Sequence, residues 1–166
     1  MVIRNSRTKE ELTYHYMNLT IAELMTLFPR HKLCVDPSQR VAGIFNDTRK
    51  AIRGGVYVAI RGDHFDGHDF VAQSLAEGAV AALVSDSKVQ GENLLFCDDT
   101  VKALAKLASY YRGKFTQPVI AITGSNGKTT TKEFLAHVLS RSGNVIATQG
   151  NLNNQIGVPL TIFSFD

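Results

Sequence analysis

The sequence predicts an α/β protein in two parts: a small α/β domain, then the first strand–loop–helix–strand unit of a parallel sheet left incomplete in this chain. Three observations carry that prediction. Runs rich in β-branched residues alternate with stretches of helical spacing as far as Gly113. An apolar run over 119–122 then leads through a glycine-bracketed turn into a second helical stretch, with Phe134, Leu135, Val138 and Leu139 at helical spacing. Only residues 151–166 follow Gly150, too few to supply the several further strands and covering helices of a two-faced parallel sheet.

Taken in order, residues 1–18 carry little apolar periodicity and read as a flexible extension, without the apolar core of a signal peptide. Thr20-Ile-Ala-Glu23 is a capping box, and Ile21, Leu24, Met25 and Phe28 make the stripe of a short helix that Pro29 stops. Residues 41–45 and 56–60 read as strands, with Arg53-Gly-Gly55 as a turn between them. Asp66 or Asp69 caps the next helix, whose apolar positions are Phe70, Val71 and Leu75 and which ends near Gly78. Short strands follow over 81–84 and 94–97. Asp98-Asp-Thr100 opens a helix with Val101, Leu104, Leu107, Ala108 and Tyr111 on one face and Gly113 where a C-cap falls. The first domain therefore spans 19–113. Residues 114–117 are a polar link, and the second unit spans 114–166, with a helix to about Arg141 and a strand over 145–148.

Composition excludes several classes of function. The net charge of +3 is spread through interspersed acids and bases, unlike the clustered basic face of a nucleic-acid binder. No apolar run is long enough for a membrane span. Cys34 and Cys97 are isolated, no Cys or His pair has metal-ligand spacing, and a cytoplasmic chain with reduced thiols is the expectation.

The chemistry concentrates in Thr123-Gly-Ser-Asn-Gly-Lys-Thr-Thr130. Gly124 and Gly127 allow backbone conformations closed to residues with a Cβ, so the N–H groups of Ser125, Asn126 and their neighbours can point into one concavity. The helix that follows presents unpaired N–H groups and its positive dipole end to the same anion. Lys128 adds a point charge, and the hydroxyl of Thr129 or Thr130 can reach a phosphate-bound Mg²⁺. This is shorter than the Walker form, which would need glycine where Ile122 stands. The plainer reading is a strand-to-helix turn that uses glycine; with both glycines, the lysine and two threonines in register, nucleotide binding is preferred. After Lys128 the only acids are Glu133 and Asp166, so no second-strand acid is clearly available for the metal.

Four further stretches accompany this loop. Asp47-Thr-Arg-Lys50 precedes Val56-Tyr-Val-Ala-Ile-Arg-Gly62 and Phe65-Asp-Gly-His-Asp-Phe70, and Gly150-Asn-Leu-Asn-Asn-Gln-Ile-Gly-Val-Pro-Leu160 comes last. In this order the chain resembles the Mur ligases, ATP-dependent amide-forming enzymes of peptidoglycan synthesis, from about Asn18 to its last residue. The phosphate loop marks the whole superfamily, which also contains folylpolyglutamate synthetases. The final asparagine-rich stretch most resembles the members that add D-alanyl-D-alanine (D-Ala-D-Ala) to UDP-N-acetylmuramoyl-tripeptide (UDP-MurNAc-tripeptide).

The resemblance implies a small α/β UDP-sugar-binding domain followed by the first β–P-loop–α–β unit of a parallel-sheet ATPase domain. It implies ATP and Mg²⁺ as cofactors, UDP-MurNAc-tripeptide and D-Ala-D-Ala as substrates, and no nucleic-acid or membrane partner. Gly124, Ser125, Asn126, Gly127, Lys128, Thr129 and Thr130 would hold the nucleotide, with Lys128 and Thr129 in the catalytic step and Thr129 or Thr130 on the metal. Asn153 and Asn154 offer neutral amides to phosphate or substrate, or else are turn-forming asparagines. Asp47, Thr48 and Arg49 would read a uracil edge or a diphosphate, Arg49 being the one matched to bidentate anion recognition; alone they would be a turn with a solvated arginine. Phe65, Asp66, Gly67 and His68 sit where a loop enters a helix and would contact phosphate or sugar; alone, His68 would be a helix-start residue satisfied by backbone. The family's catalytic acid, modified lysine and carboxy-terminal domain would lie beyond Asp166, so residues 1–166 are expected to form no amide by themselves. The rivals are a sister ligase adding a single amino acid and a UDP-sugar-binding module without turnover.

Overall fold

The computed structural model of the chain describes residues 2–3, 16–150 and 152–165. The expected extension therefore lies outside the described residues over 4–15, as does Asn151 of the asparagine-rich stretch. The boundary at residue 19 is corrected. Met17 is buried and its N–H donates to the Val41 carbonyl at 2.8 Å, so the first domain begins with it.

A five-stranded sheet organises the first domain. Helix α1 (Ile21–Leu27) starts as expected: Thr20 and Glu23 form a capping box, with Thr20 N–H donating to Glu23 Oε2 at 2.8 Å. Then come β2 (His31–Lys32), β3 (Ile44–Phe45), β4 (Val56–Val58), α2 (Val71–Ala76), β5 (Ala81–Val84), β6 (Leu94–Phe96) and α3 (Thr100–Arg112). The strand order is β2-β6-β5-β4-β3, with β3 to β6 parallel and β2 antiparallel on the edge. The sequence reading missed β2; its two residues are exposed, and so short an edge strand leaves no period-2 signal.

Successive strand residues feed opposite cores, as a sheet covered on both faces requires. Ile44, Val56, Val58, Leu83 and Leu95 face α1 and α3, packing on Leu24, Leu104, Leu107 and Tyr111. Phe45, Tyr57, Ala59, Ala82, Val84 and Leu94 face α2 and pack on Val71 and Leu75. The parallel run places the loops after β3, β4 and β5 along one edge of the sheet.

The second unit departs further from expectation. Helix α4 (Lys128–Leu139) is present, but none of its residues is buried. The run at 119–122 joins no ladder among the described residues, and Val119 and Ile120 stay about half exposed. An apolar run becomes a strand only where neighbours accept from its N–H groups and donate to its C=O groups, and among the described residues no strand pairs with this one. The strand expected over 145–148 is reduced to β7 (Asn144–Val145), paired antiparallel with β1 (Val2–Ile3). Residues 160–165, left unassigned from sequence, hold the end of helix α5 (Gly157–Ile162) and two phenylalanines. Phe163 and Phe165 are buried in the core of the first domain, with Tyr111 donating its hydroxyl proton to the Phe165 carbonyl at 3.0 Å. The link at 114–117 thus does not divide the packing in two.

Candidate functional site

The predicted residues fall into two places, and no hydrogen bond or ion pair joins them among the described residues. The first is the carboxyl edge of the parallel sheet, where open α/β sheets present their ligands. Asp47 follows β3 and caps a short 3-10 turn, Thr48–Lys50, by accepting from the Arg49 N–H at 3.0 Å. The Arg49 guanidinium closes on the same carboxylate, Nε to Oδ1 at 2.9 Å and Nη2 to Oδ2 at 2.8 Å. That pair holds the Asp47 carboxyl down at about 2 and raises the Arg49 guanidinium further. Arg49 was expected to offer its fork to an anion, but one edge of that fork is taken internally. Its other N–H groups remain on an exposed side chain.

The loop after β4 is held more tightly. Asp66 Oδ1 accepts from the His68 N–H at 3.0 Å and lies 2.6 Å from His68 Nδ1, while Oδ2 accepts from Arg61 Nε at 2.8 Å. Hydrogen bonds from the His68 backbone and ring, with Arg61 alongside, keep this carboxyl well below the usual range despite the opposing effect of desolvation. On its other side the imidazole meets the next loop: His68 Nε2 accepts from Ser85 N–H at 3.0 Å and Asp86 N–H at 3.3 Å. The ring is buried with both nitrogens engaged inside the protein, so neither is free to make the ligand contact expected of His68.

Gly67 is needed for close approach, since a Cβ would stand 2.6 Å from the Ile60 nitrogen. Its carbonyl accepts from the buried Tyr57 hydroxyl at 3.0 Å. Desolvation, then the charges of Asp47 and Asp66, push that phenol up to about 12. Tyr57 thus senses both predicted clusters from beneath the edge. Phe65 is 76% exposed, an apolar ring held out at the rim. Arg61, absent from the sequence-derived set, stands beside it with its Nη2 2.7 Å from Asp66 Oδ2. Its signal was an arginine directly after a strand and five positions before the aspartate it pairs with.

The second place is the glycine-bracketed loop. Gly124 (φ +151°) and Gly127 (φ +77°) both take conformations that side chains disfavour. Gly127 is the N-cap of α4, and no side chain caps that end. The first helical bond there is Thr131 N–H to the Gly127 carbonyl, which leaves the N–H groups of Lys128, Thr129 and Thr130 ahead of the helix's own ladder. The Lys128 ammonium folds back on the Gly124 and Ser125 carbonyls. A bare helix end behind a left-handed glycine, one ammonium and exposed threonine hydroxyls suit a nucleotide phosphate tail. Among the described residues no group of three His, Cys, Asp or Glu is placed to hold a metal ion.

Beside the loop lies a cleft of about 330 Å³ between the 119–122 run, α4, residues 145–150 and α5, lined mainly by apolar side chains with Lys128, Thr129 and Asn153 among them. Asn154 is placed differently: its Oδ1 accepts from Ile156 N–H at 3.1 Å and Gly157 N–H at 2.8 Å. It supports the start of α5, in keeping with the turn-forming alternative, and keeps only its amide donors for a ligand. No helix of the described residues is long and apolar enough to cross a membrane.

Comparison with known proteins adds to this geometry. The Mur ligase family catalytic domain matches residues 40–112, and the Mur ligase middle domain matches 122–166. The UDP-N-acetylmuramoyl-tripeptide–D-alanyl-D-alanine ligase of Synechocystis is 46% identical over 127 residues, covering 74% of this chain and 28% of its own length. A crystal structure of MurF from Acinetobacter baumannii superposes with a TM-score of 0.78 at 37% identity, over 89% of this chain and 33% of that one. MurF ligase from Thermotoga maritima, in complex with ADP, gives 0.69 at 37% identity over 75% of this chain and 29% of that one. The chain spans about three-tenths of the length of the curated relatives it matches. One match covers the sheet edge and the other the glycine-bracketed loop, and on both counts the chain belongs to the Mur ligase family.

Proposed function

We propose that this chain serves an ATP-dependent ligase of peptidoglycan precursor synthesis, acting in the cytoplasm, that joins D-Ala-D-Ala to UDP-MurNAc-tripeptide. The observation that carries the reading is the uncapped, glycine-preceded start of α4 beside Lys128, adjoining a domain whose sheet edge presents Arg49 and Arg61. ATP supplies the phosphoryl group that turns the peptide's terminal carboxylate into an acyl phosphate. The amine of D-Ala-D-Ala then displaces phosphate, forming the amide.

Within that scheme the chain binds and orients. The N–H groups around Gly124 to Thr130 cradle the nucleotide's phosphates, and Lys128 leaves the loop carbonyls to offset negative charge on the moving group. Thr129 and Thr130 offer hydroxyls to Mg²⁺, and Asn153 faces the same cleft. At the sheet edge, Thr48 and the free N–H groups of Arg49 face the UDP portion, with Asp47 holding Arg49 in place. Phe65, Asp66 and Gly67 shape the adjoining loop, and Arg61 adds a second guanidinium. The sister-ligase alternative would add a single amino acid to a shorter UDP-linked peptide, and the family members matched most strongly favour D-Ala-D-Ala as the amine.

Full-length protein containing this chain tests the reading. With ATP, UDP-MurNAc-tripeptide and D-Ala-D-Ala it should release phosphate, and single amino acids in place of the dipeptide should not support turnover. Lys128→Ala should lower the rate about a hundredfold or more, the scale on which removing one charge-stabilising donor acts. Undiminished phosphate release by that variant, or none from the wild type, would refute the proposal.

A further inference from the structure

We infer that His68 is a positioning residue, a neutral Nδ1–H imidazole that locks the loop after β4 to the loop after β5 so that the sheet edge is preformed for the UDP portion of the substrate. The inference rests on the proposed function for the identity of the ligand, but its structural part stands on hydrogen-bond chemistry alone. His68 Nε2 faces two backbone N–H groups, those of Ser85 at 3.0 Å and Asp86 at 3.3 Å. A backbone N–H can only donate, so Nε2 must be the lone-pair nitrogen. The ring proton therefore sits on Nδ1 and donates to Asp66 Oδ1 at 2.6 Å. The Ser85 hydroxyl, 3.3 Å from Nε2, adds a third group of the same sense.

A chain of contacts results, running from Arg61 through Asp66 and His68 to the amides of residues 85–86. It crosses from one strand end to the next without using backbone pairing. Asp66 spends both oxygens on this chain, so its part in binding is to fix Arg61 and the Phe65–Gly67 backbone, not to touch the ligand itself. Of the polar groups nearby, Asp86 Oδ1 accepts from Lys88 N–H at 2.8 Å, and the Tyr57 hydroxyl donates to the Gly67 carbonyl. No other side chain among the hydrogen bonds at this edge gives the two loops a common partner.

Two substitutions divide the ring's functions. His68→Asn keeps a donor near the Nδ1 position and loses the acceptor for residues 85–86, whereas His68→Gln keeps a polar group near the Nε2 position and loses the bond to Asp66. In long-range proton–nitrogen NMR of the 166-residue chain, His68 should show a protonated Nδ1 and a bare Nε2 at neutral pH. A charged ring or the opposite tautomer would overturn the inference. Amide exchange at Ser85 and Asp86 should accelerate in His68→Asn while α3 keeps its protection, and unchanged exchange would count against the lock. Calorimetric titration with uridine diphosphate should give affinity about tenfold weaker for either variant, the scale of one lost hydrogen bond. Uptake that both variants leave unchanged overturns the positioning role alone. No uptake by the wild type overturns the UDP reading of the edge, and the NMR arm then still decides the tautomer and the lock.

Discussion

Two glycines show how differently one residue type can be required. At Gly67 the constraint is space: a Cβ would press on the backbone of Ala59 and Ile60, 2.6 Å from a nitrogen and 2.7 Å from an oxygen. Backbone cannot swing aside as a side chain can, so Gly67→Ala should destabilise the chain by about 1–3 kcal/mol. At Gly127 the constraint is conformation, because φ is +77° and nothing lies within 4 Å of where a methyl group would stand. Gly127→Ala should therefore cost about 1–2 kcal/mol and no more, and Gly127→Asn less, since asparagine tolerates that region. Urea unfolding of the three variants checks the contrast. Equal losses for Gly127→Ala and Gly127→Asn would mean that the turn is not what the glycine serves.

At the scale of elements, helices α1 and α3 are tied by one carboxylate. Glu23 completes the capping box of α1, accepts from the Tyr110 hydroxyl at 2.6 Å and meets the Lys114 ammonium just beyond α3. Burial alone would raise its carboxyl, yet the bonds from Lys114, Tyr110 and Thr20 outweigh that and hold it at about 2. A carboxyl lowered on folding adds stability that is complete above its unfolded value of 4.5 and is lost as pH falls toward 2. For a partly exposed group this amounts to about 1 kcal/mol. Glu23→Gln should thus lower the melting temperature at pH 7 but match the wild type near pH 2; a gap that persists there would assign the effect to packing instead. The capping box was legible because Thr20 and Glu23 are local partners, three residues apart. The staple was not, because Tyr110 and Lys114 meet Glu23 only once the sheet has stacked the two helices. The same divide runs through the candidate site. Gly124, Gly127 and Lys128 declare a phosphate loop by spacing alone, whereas the bond between His68 and the amides of 85–86 depends on β4 and β5 being neighbours. The apolar run at 119–122 read as a strand for its composition, but pairing is a property of its surroundings.

For the whole molecule, the decisive contact is the return of the chain's last described helix to the first domain. Arg112 holds the Phe115 and Gln117 carbonyls at 2.6 and 2.9 Å, which fixes the link up to Pro118. Between there and Gly150 no residue of helix α4 is fully buried, and Phe134 is 67% exposed. Then α5 docks, with the Phe163 ring tilted 5.9 Å from Tyr111 and the Phe165 ring edge-on 6.2 Å from Phe115. Aromatic rings of this size bury enough surface for each Phe→Ala change to cost several kcal/mol in a core, about 3–5 in the usual range. A protease should therefore cut within 118–150, and the two pieces should stay together on a native gel, because the docking of α5 does not depend on the exposed stretch between. In the Phe163→Ala/Phe165→Ala double variant the same cut should release the carboxy-terminal piece while residues 17–117 keep their helical signal. Release from the nicked wild type would show that α5 is held by the chain's continuity and not by the aromatic cluster, and the two parts would then be separate folding units after all.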